Sequence, residues 1–315
     1  MDTKTLTFEE RQRVFSDPEA AREYLEAVRW PDGPVCPRCG AVVAYKLTGR
    51  PSSTSAVRPG VYKCGSCRKQ YSVTVGTVFE DSHVPLNKWL YAAHLMVSSK
   101  KGLSANQLHR DLRVTYKTAW FMAHRIRLAM QPAEPTEKLS GIVEPDESYV
   151  GGRTKGGKRG RGAPHKVIVF SLIQRDGEAR SFHVPDVKGK TLKGVLRQNV
   201  LGTAEIMTDN LGSYRGLEDE FKSHGVVDHS KEYVRGIIHT NFAESYFSLL
   251  KRGIIGAFHH VSEQHFQRYL DEFDFRWNRR AISDHERLLM AARDSEGKRL
   301  TYRDSSLSAS QGGAL

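Results

Sequence analysis

The stretch Val143-Glu144-Pro145-Asp146-Glu147-Ser148-Tyr149-Val150-Gly151-Gly152 decides the reading of this 315-residue chain. Residues 142 to 150 read as a strand, and an aspartate in its middle is out of place. Strand interiors disfavour Asp, and a buried carboxylate is costly unless a cation meets it. Alternation puts Glu144 on the face of Asp146 and Glu147 on the opposite one. Glu144 is therefore the expected auxiliary acid, and Glu147 the expected structural partner. Downstream, residues 166 to 174 and 180 to 184 read as strands joined across the turn Arg175-Asp176-Gly177. A helix over 191 to 199, a strand over 205 to 209 and a helix over 213 to 224 follow. Two long helices, about 242 to 252 and 263 to 279, close the region. This order predicts a mixed α/β domain, one sheet flanked by helices.

Two further carboxylates stand out. Asp209, in Ile-Met-Thr-Asp-Asn, ends a strand, and the carboxyl ends of strands are where open α/β sheets hold their ligands. The same residue before Asn-Leu-Gly is also an ordinary turn former. Glu244 lies in Asn-Phe-Ala-Glu-Ser-Tyr-Phe-Ser-Leu-Leu-Lys-Arg. Asn241 as N-cap with Glu244 three residues on is a capping-box pattern, which would make Glu244 structural. Against that, Glu244, Ser248 and Lys251 recur at i, i+4, i+7 along a ridge beside the apolar stripe Ala243, Tyr246, Phe247 and Leu250.

The N-terminal half has a different character. The cysteines are Cys36, Cys39, Cys64 and Cys67, two Cys-x-x-Cys pairs with none left over. That spacing predicts one structural zinc in a closed four-sulfur shell. Two short helices precede the ribbon, the second opened by Asp17-Pro18, and residues 70 to 79 read as its last strand. Residues 89 to 130 read as three helices, the second opening at Ser104 and the third at Thr115. They form a helix-turn-helix whose last helix carries Lys117, Arg125 and Arg127 as expected DNA contacts. The expected domains are residues 1–82 (helices and ribbon), 83–132 (helix-turn-helix), 137–290 (the α/β catalytic domain) and 291–315, a largely disordered tail.

Forty-eight Lys and Arg against thirty-six Asp and Glu give a net charge of +12, which points to a polyanionic partner. The glycine-rich segment 151 to 166 concentrates part of that charge in Arg153, Lys155, Lys158, Arg159 and Arg161, suited to following a phosphate backbone. No long apolar run or signal-peptide pattern is present, so a cytoplasmic, nucleoid-associated protein is expected.

Cys-Pro-Arg-Cys-Gly at 36 to 40, Thr-Val-Gly-Thr-Val-Phe at 74 to 79, the 143 to 152 stretch, Ser-Leu-Leu-Lys-Arg-Gly at 248 to 253 and Tyr-Leu-Asp-Glu-Phe-Asp-Phe-Arg-Trp-Asn-Arg-Arg at 269 to 280 resemble one family. These are the bacterial insertion-sequence DDE transposases with an N-terminal zinc ribbon and an ISXO-like catalytic domain. The resemblance implies a ribonuclease-H-like (integrase-like) fold. It implies Asp146, Asp209 and Glu244 as the acidic triad binding two Mg²⁺, with Mn²⁺ as substitute, Lys251 as a phosphate contact, and Asn241 as the reserve for the third acid. It also implies double-stranded DNA, both element ends and target, as partner, a homo-oligomeric synaptic complex, and cleavage followed by strand transfer. A DNA-binding regulator with an inactive catalytic domain, and a metal-dependent nuclease that never joins, are the alternatives.

Overall fold

The computed structural model describes residues 6–48, 58–132, 137–151 and 166–302. Arg153, Lys155, Lys158, Arg159 and Arg161 lie outside the described residues, as do the tail from 303 and most of the 131 to 136 linker. The chain forms two compact units, one of residues 1–99, 103–131 and 282–315, the other of residues 100–102 and 132–281. Among the described residues no helix is long and apolar enough to cross a membrane.

The first unit opens with α1 (Phe8–Ser16) and α2 (Pro18–Arg29), separated by Asp17, whose carboxylate accepts from the Glu19 and Ala20 N–H groups and caps α2. A three-stranded antiparallel ribbon follows: β1 (Ala44–Lys46), β2 (Tyr62–Cys64) and β3 (Gln70–Tyr71). The expected strand to Phe79 stops at Tyr71. Turns replace it, with Val75 N–H donating to Ser72 O, Thr77 N–H to Thr74 O, and Gly76 at φ +73°. Next come α3 (Leu86–Ser98), α4 (Ala105–Leu112) and α5 (Tyr116–Met130). Ser104 and Thr115 cap the last two as the sequence predicts, and Arg113 turns the chain in the left-handed region between them.

The second unit is built on a five-stranded sheet of β4 (Ile142–Val150), β5 (Val167–Gln174), β6 (Ala179–Val184), β7 (Glu205–Thr208) and β8 (Ser223–Val226), in the order β6-β5-β4-β7-β8. Only β5 runs against the others, because β4 and β6 both pair with it antiparallel while β7 and β8 join in parallel. This mixed sheet with helices on both faces is the ribonuclease-H-like architecture. Against one face packs α6 (Gly189–Asn199), with Val143, Phe170, Leu172, Leu192, Leu196 and Tyr214 in its core. Against the other pack α7 (Asn241–Gly253) and α8 (Phe266–Asn278), around Val169, Ile173, Tyr246, Leu250 and Phe273. The helix expected over 213 to 224 is absent. Residues 212 to 214 make one 3₁₀ turn and 223 to 226 form edge strand β8, seated where Gly225 approaches Met207 so closely that a Cβ would lie 2.6 Å from its Sδ.

A last helix, α9 (Asp284–Arg293), opens with a capping box between Ser283 and Glu286 and belongs to the first unit. The expected boundary at 290 thus differs from the contact grouping, which changes units at residue 282, and ordered chain continues to 302 in the expected tail.

Candidate active site

β5 pairs with β4 from Val143 to Val150, but the parallel ladder to β7 holds only Ile142 and Val143. Asp146 lies three residues past the end of that ladder, and Asp209 directly follows Thr208, the last residue of β7. One carboxylate oxygen each from Asp146, Glu147 and Asp209 lies within 4.8 Å of the others. The site therefore sits where the parallel ladder of β4 and β7 has ended, beside the carboxyl end of β7, where the parting strands leave side chains room to converge on a ligand.

Each acid is held by a defined bond. Asp146 accepts the Glu147 N–H at 2.8 Å and Asp209 accepts the Leu211 N–H at 3.0 Å, so Asp209 is both turn former and cluster member. Glu147 points to the α6 face, where the buried Tyr214 hydroxyl donates to it at 2.8 Å. Burial, then the charges of Glu147 and Asp209, and last that of Glu244, push the Asp146 carboxyl up to about 8 from 3.8. The three oxygens share one gap and repel one another there, a donor set that fits hard divalent cations.

The structure brings Glu147, rather than the expected Glu144, into the acidic cluster. Glu144 is fully buried on the α7 face. It accepts from Arg175 Nε at 2.6 Å and from the Phe242 and Ala243 N–H groups at 2.9 and 3.1 Å, with His239 Nδ1 3.3 Å away. It thus caps α7 from the sheet beneath it. Strand alternation assigned the faces correctly, but a helix N-terminus and a guanidinium waiting over one face decided which acid is structural. This also removes the capping-box role for Glu244: the N-cap residue is Thr240, its side chain makes no capping bond, and Glu244 lies one residue past the capping-box position.

Glu244 is half-exposed, 3.6 Å from His229 Nε2, and lies outside the three-acid cluster although its charge reaches Asp146. Asn241, Ser248 and Lys251 are exposed with it on α7, so the ridge read from the sequence faces solvent. Gly253 ends the helix where a Cβ would sit 2.4 Å from the Phe273 ring and 2.6 Å from Lys101 O.

In the first unit the sulfurs of Cys36, Cys39, Cys64 and Cys67 all lie within 4.8 Å of one another, with Cys36–Cys67 at 3.7 Å and Cys39–Cys64 at 3.6 Å. Tetrahedral coordination at about 2.3 Å spaces sulfurs about 3.8 Å apart, so the four fit a structural zinc. The N–H groups of Cys67 and Ser66 face Cys64 Sγ and hold that thiol at about 6, favouring the thiolate a metal needs.

The basic helix departs from expectation. Arg125 and Arg127 are 4 % and 2 % exposed. Arg125 donates to Glu80 O at 2.5 Å and lies over the Trp89 ring at 5.2 Å, so it is part of the core. The physical reason is that α5 is apolar nearly all round, with Ala119, Met122, Ala123, Ile126, Ala129 and Met130 buried. Lys117, in the first turn, is exposed, with Nζ 4.3 Å from the Tyr302 ring centroid; Tyr116 beside it is 53 % exposed.

Residues 138–278 match the ISXO2-like transposase domain and residues 16–70 the transposase zinc-ribbon domain. Over 289 residues the chain is 30 % identical to a protein in transposable element ISH50 of Halobacterium salinarum, a match covering 84 % of this chain and 92 % of that one. A transposase-like protein of Haemophilus influenzae is 28 % identical over 99 residues, 31 % of this chain and 80 % of its own. Among solved structures, the Mos1 transposase paired-end complex with left transposon end aligns over 65 % of this chain and 74 % of that one, at 12 % identity and a TM-score of 0.27. With a near end-to-end relative and a zinc-ribbon and transposase domain matched in order, the chain belongs to the ISXO2-like family of insertion-sequence transposases.

Proposed function

We propose that this transposase cuts and joins DNA by in-line displacement at phosphorus, with two divalent ions held by Asp146, Asp209, Glu147 and Glu244. Mg²⁺ is the ion that carboxylate oxygens suit, with Mn²⁺ as substitute. The observation that carries the reading is the convergence of the Asp146, Glu147 and Asp209 oxygens just past the β4–β7 ladder, beside the carboxyl end of β7. Bound ions would supply Lewis-acid charge at the attacking and leaving oxygens. In the first step a water oxygen bonds to phosphorus at the element end and the bond to the 3′ oxygen breaks, which leaves a 3′ hydroxyl. In the second step that hydroxyl bonds to a target phosphorus and a target 3′ oxygen leaves.

The chain's own residues divide the work. Tyr214 orients Glu147, and the Leu211 N–H orients Asp209. Glu144 with Arg175 fixes the start of α7 and so the direction in which Glu244 and Lys251 project. Lys251 contacts a phosphate beside the scissile bond. Double-stranded DNA is the partner, as the +12 charge favours, and element ends are read by the first unit, with the exposed first turn of α5 at Lys117 as its reader. Pairing two ends calls for a homo-oligomer.

The test offers pre-nicked element ends carrying a 3′ hydroxyl together with target duplex in Mg²⁺. Joined product from the wild type, absent with Asp146→Asn, supports the reading. A wild type that nicks but never joins makes the protein a nuclease, and one that binds ends without nicking makes it a regulator.

A further inference from the structure

Outside the carboxylate cluster the second unit carries an open cavity of about 550 Å³, lined by Lys188, Gly189, Lys190, Lys193, Ser213 and Arg215. Lys188, Lys190 and Arg215 are exposed, and Lys193 is bonded to the Arg215 carbonyl across the cavity. Three acids lie near this set of four cations: Asp186, Glu220 and Asp219, the last with its Oδ2 3.8 Å, and Lys193 Nζ 3.4 Å, from where a Gly216 Cβ would sit. Asp186 is 3.2 Å from Lys188 and also takes the Lys188 N–H and the Thr191 hydroxyl; Glu220 is held by Arg197 through two bonds of 2.6 and 2.8 Å. The cations outnumber the acids, and the lining offers ammonium, guanidinium and hydroxyl donors, the groups that meet phosphate oxygens.

The cavity is mechanically tied to the catalytic acids. Residues 212 to 215 begin three residues after Asp209 and make one turn with two faces. Inward, Tyr214 donates to Glu147; outward, Ser213 and Arg215 line the cavity; and the Ser213 hydroxyl fastens the turn to Val187 O at 2.6 Å. Gly189 lies against the same turn, where an added Cβ would be 3.1 Å from Ser213 O.

We infer that this cavity holds backbone phosphates of the DNA strand whose scissile bond lies at Asp146 and Asp209, gripping it without regard to sequence. This rests on the proposed chemistry of the acidic site and adds a second contact point for its substrate. Phosphates positioned by point charges a turn away would set how the strand enters, because phosphate contacts fix register and leave sequence to other groups.

The test compares two double variants of the full chain. Lys190→Gln with Arg215→Gln removes two cavity cations; Lys222→Gln with Lys231→Gln removes two exposed cations of the same unit outside it. Binding to a random-sequence duplex is measured against salt, and nicking of element-end duplex gives KM and kcat. The cavity variant is expected to lower the slope of log K against log salt by about 2, at about 0.9 per lost phosphate contact, and to raise KM tenfold or more with kcat within twofold. The control variant keeps the wild-type slope and KM. Equal slopes in the two variants, or a cavity variant matching the wild type, overturn the inference. If the wild type neither nicks nor joins, the proposed chemistry fails instead, and the salt slope alone still decides whether the cavity binds DNA backbone.

Discussion

The sulfur cluster and the carboxylate cluster both bring metal-ligand atoms within 4.8 Å, yet they are built in opposite ways. The sulfurs sit on and between turns beside strands of only two or three residues, so the metal supplies what so short a ladder lacks. Two of the carboxylates sit on a nine-residue central strand between two packed faces and the third follows its parallel neighbour, so the fold imposes their proximity whether or not a cation is present. On this reading one site folds around its metal, and the other crowds negative charge that a bound cation would relieve.

Zinc removal should break the comparison most visibly. Chelation, or Cys64→Ser, is expected to unfold the ribbon between residues 33 and 71, since structural zinc contributes about 10 kcal/mol or more in small metal-stapled units. The second unit should keep its melting transition. Hydrogen exchange on both units checks this, and protection unchanged in the ribbon would make zinc dispensable.

The next largest effect belongs to Glu144. Glu144→Ala leaves Arg175 without its carboxylate and two α7 N–H groups without an acceptor, at an expected cost of about 3 to 5 kcal/mol in denaturant unfolding. Glu147→Gln keeps the Tyr214 contact and should cost far less stability while weakening cation binding in calorimetry. The opposite ranking would restore Glu144 as the auxiliary acid.

Asp146 sharpens the contrast through pH. Its folded pKa, about 8, lies above the ordinary 3.8, so the folded state holds the proton more tightly. The stability this contributes is full below pH 3.8 and is lost as pH rises toward 8. Metal-free protein should therefore lose about 1 to 3 kcal/mol relative to Asp146→Asn across that window, allowing for the solvent that reaches the site. Divalent ions should remove the difference, and their affinity should rise with pH through 8. Thermal melts at pH 5 and pH 8.5, with and without Mg²⁺, measure it.

The smallest effect is expected at Glu244. No capping box forms there, so Glu244→Gln should move stability by less than about 0.5 kcal/mol while lowering joining. A loss of stability with joining intact would return the residue to a structural role.

What the sequence made legible was local. Asp17, Ser104 and Thr115 announce their helices because a cap is a three-residue event, and paired cysteines announce a metal because the spacing is the geometry. Ser283-Asp-His-Glu286 carried the same kind of signal for α9. The rest depended on partners distant in the chain. Ser223-His224-Gly225-Val226 has no strand pattern of its own and becomes one by pairing with β7, where glycine permits the approach. Arg125 resembles a surface cation until Trp89 and the Glu80 carbonyl enclose it. Glu147 resembles the outward acid until Tyr214 and Asp209 arrive from another element.

The most direct measurement of the central claim is joining of pre-nicked element ends by Asp209→Asn in Mg²⁺, scored beside duplex binding and melting temperature. Removing one carboxylate from the shared site is expected to lower joining by about a thousandfold, the scale of losing a charge-stabilising group in a phosphoryl or acyl transfer site, with binding and melting unchanged. Joining within a few-fold of the wild type would contradict the assignment of the acidic cluster as the active site.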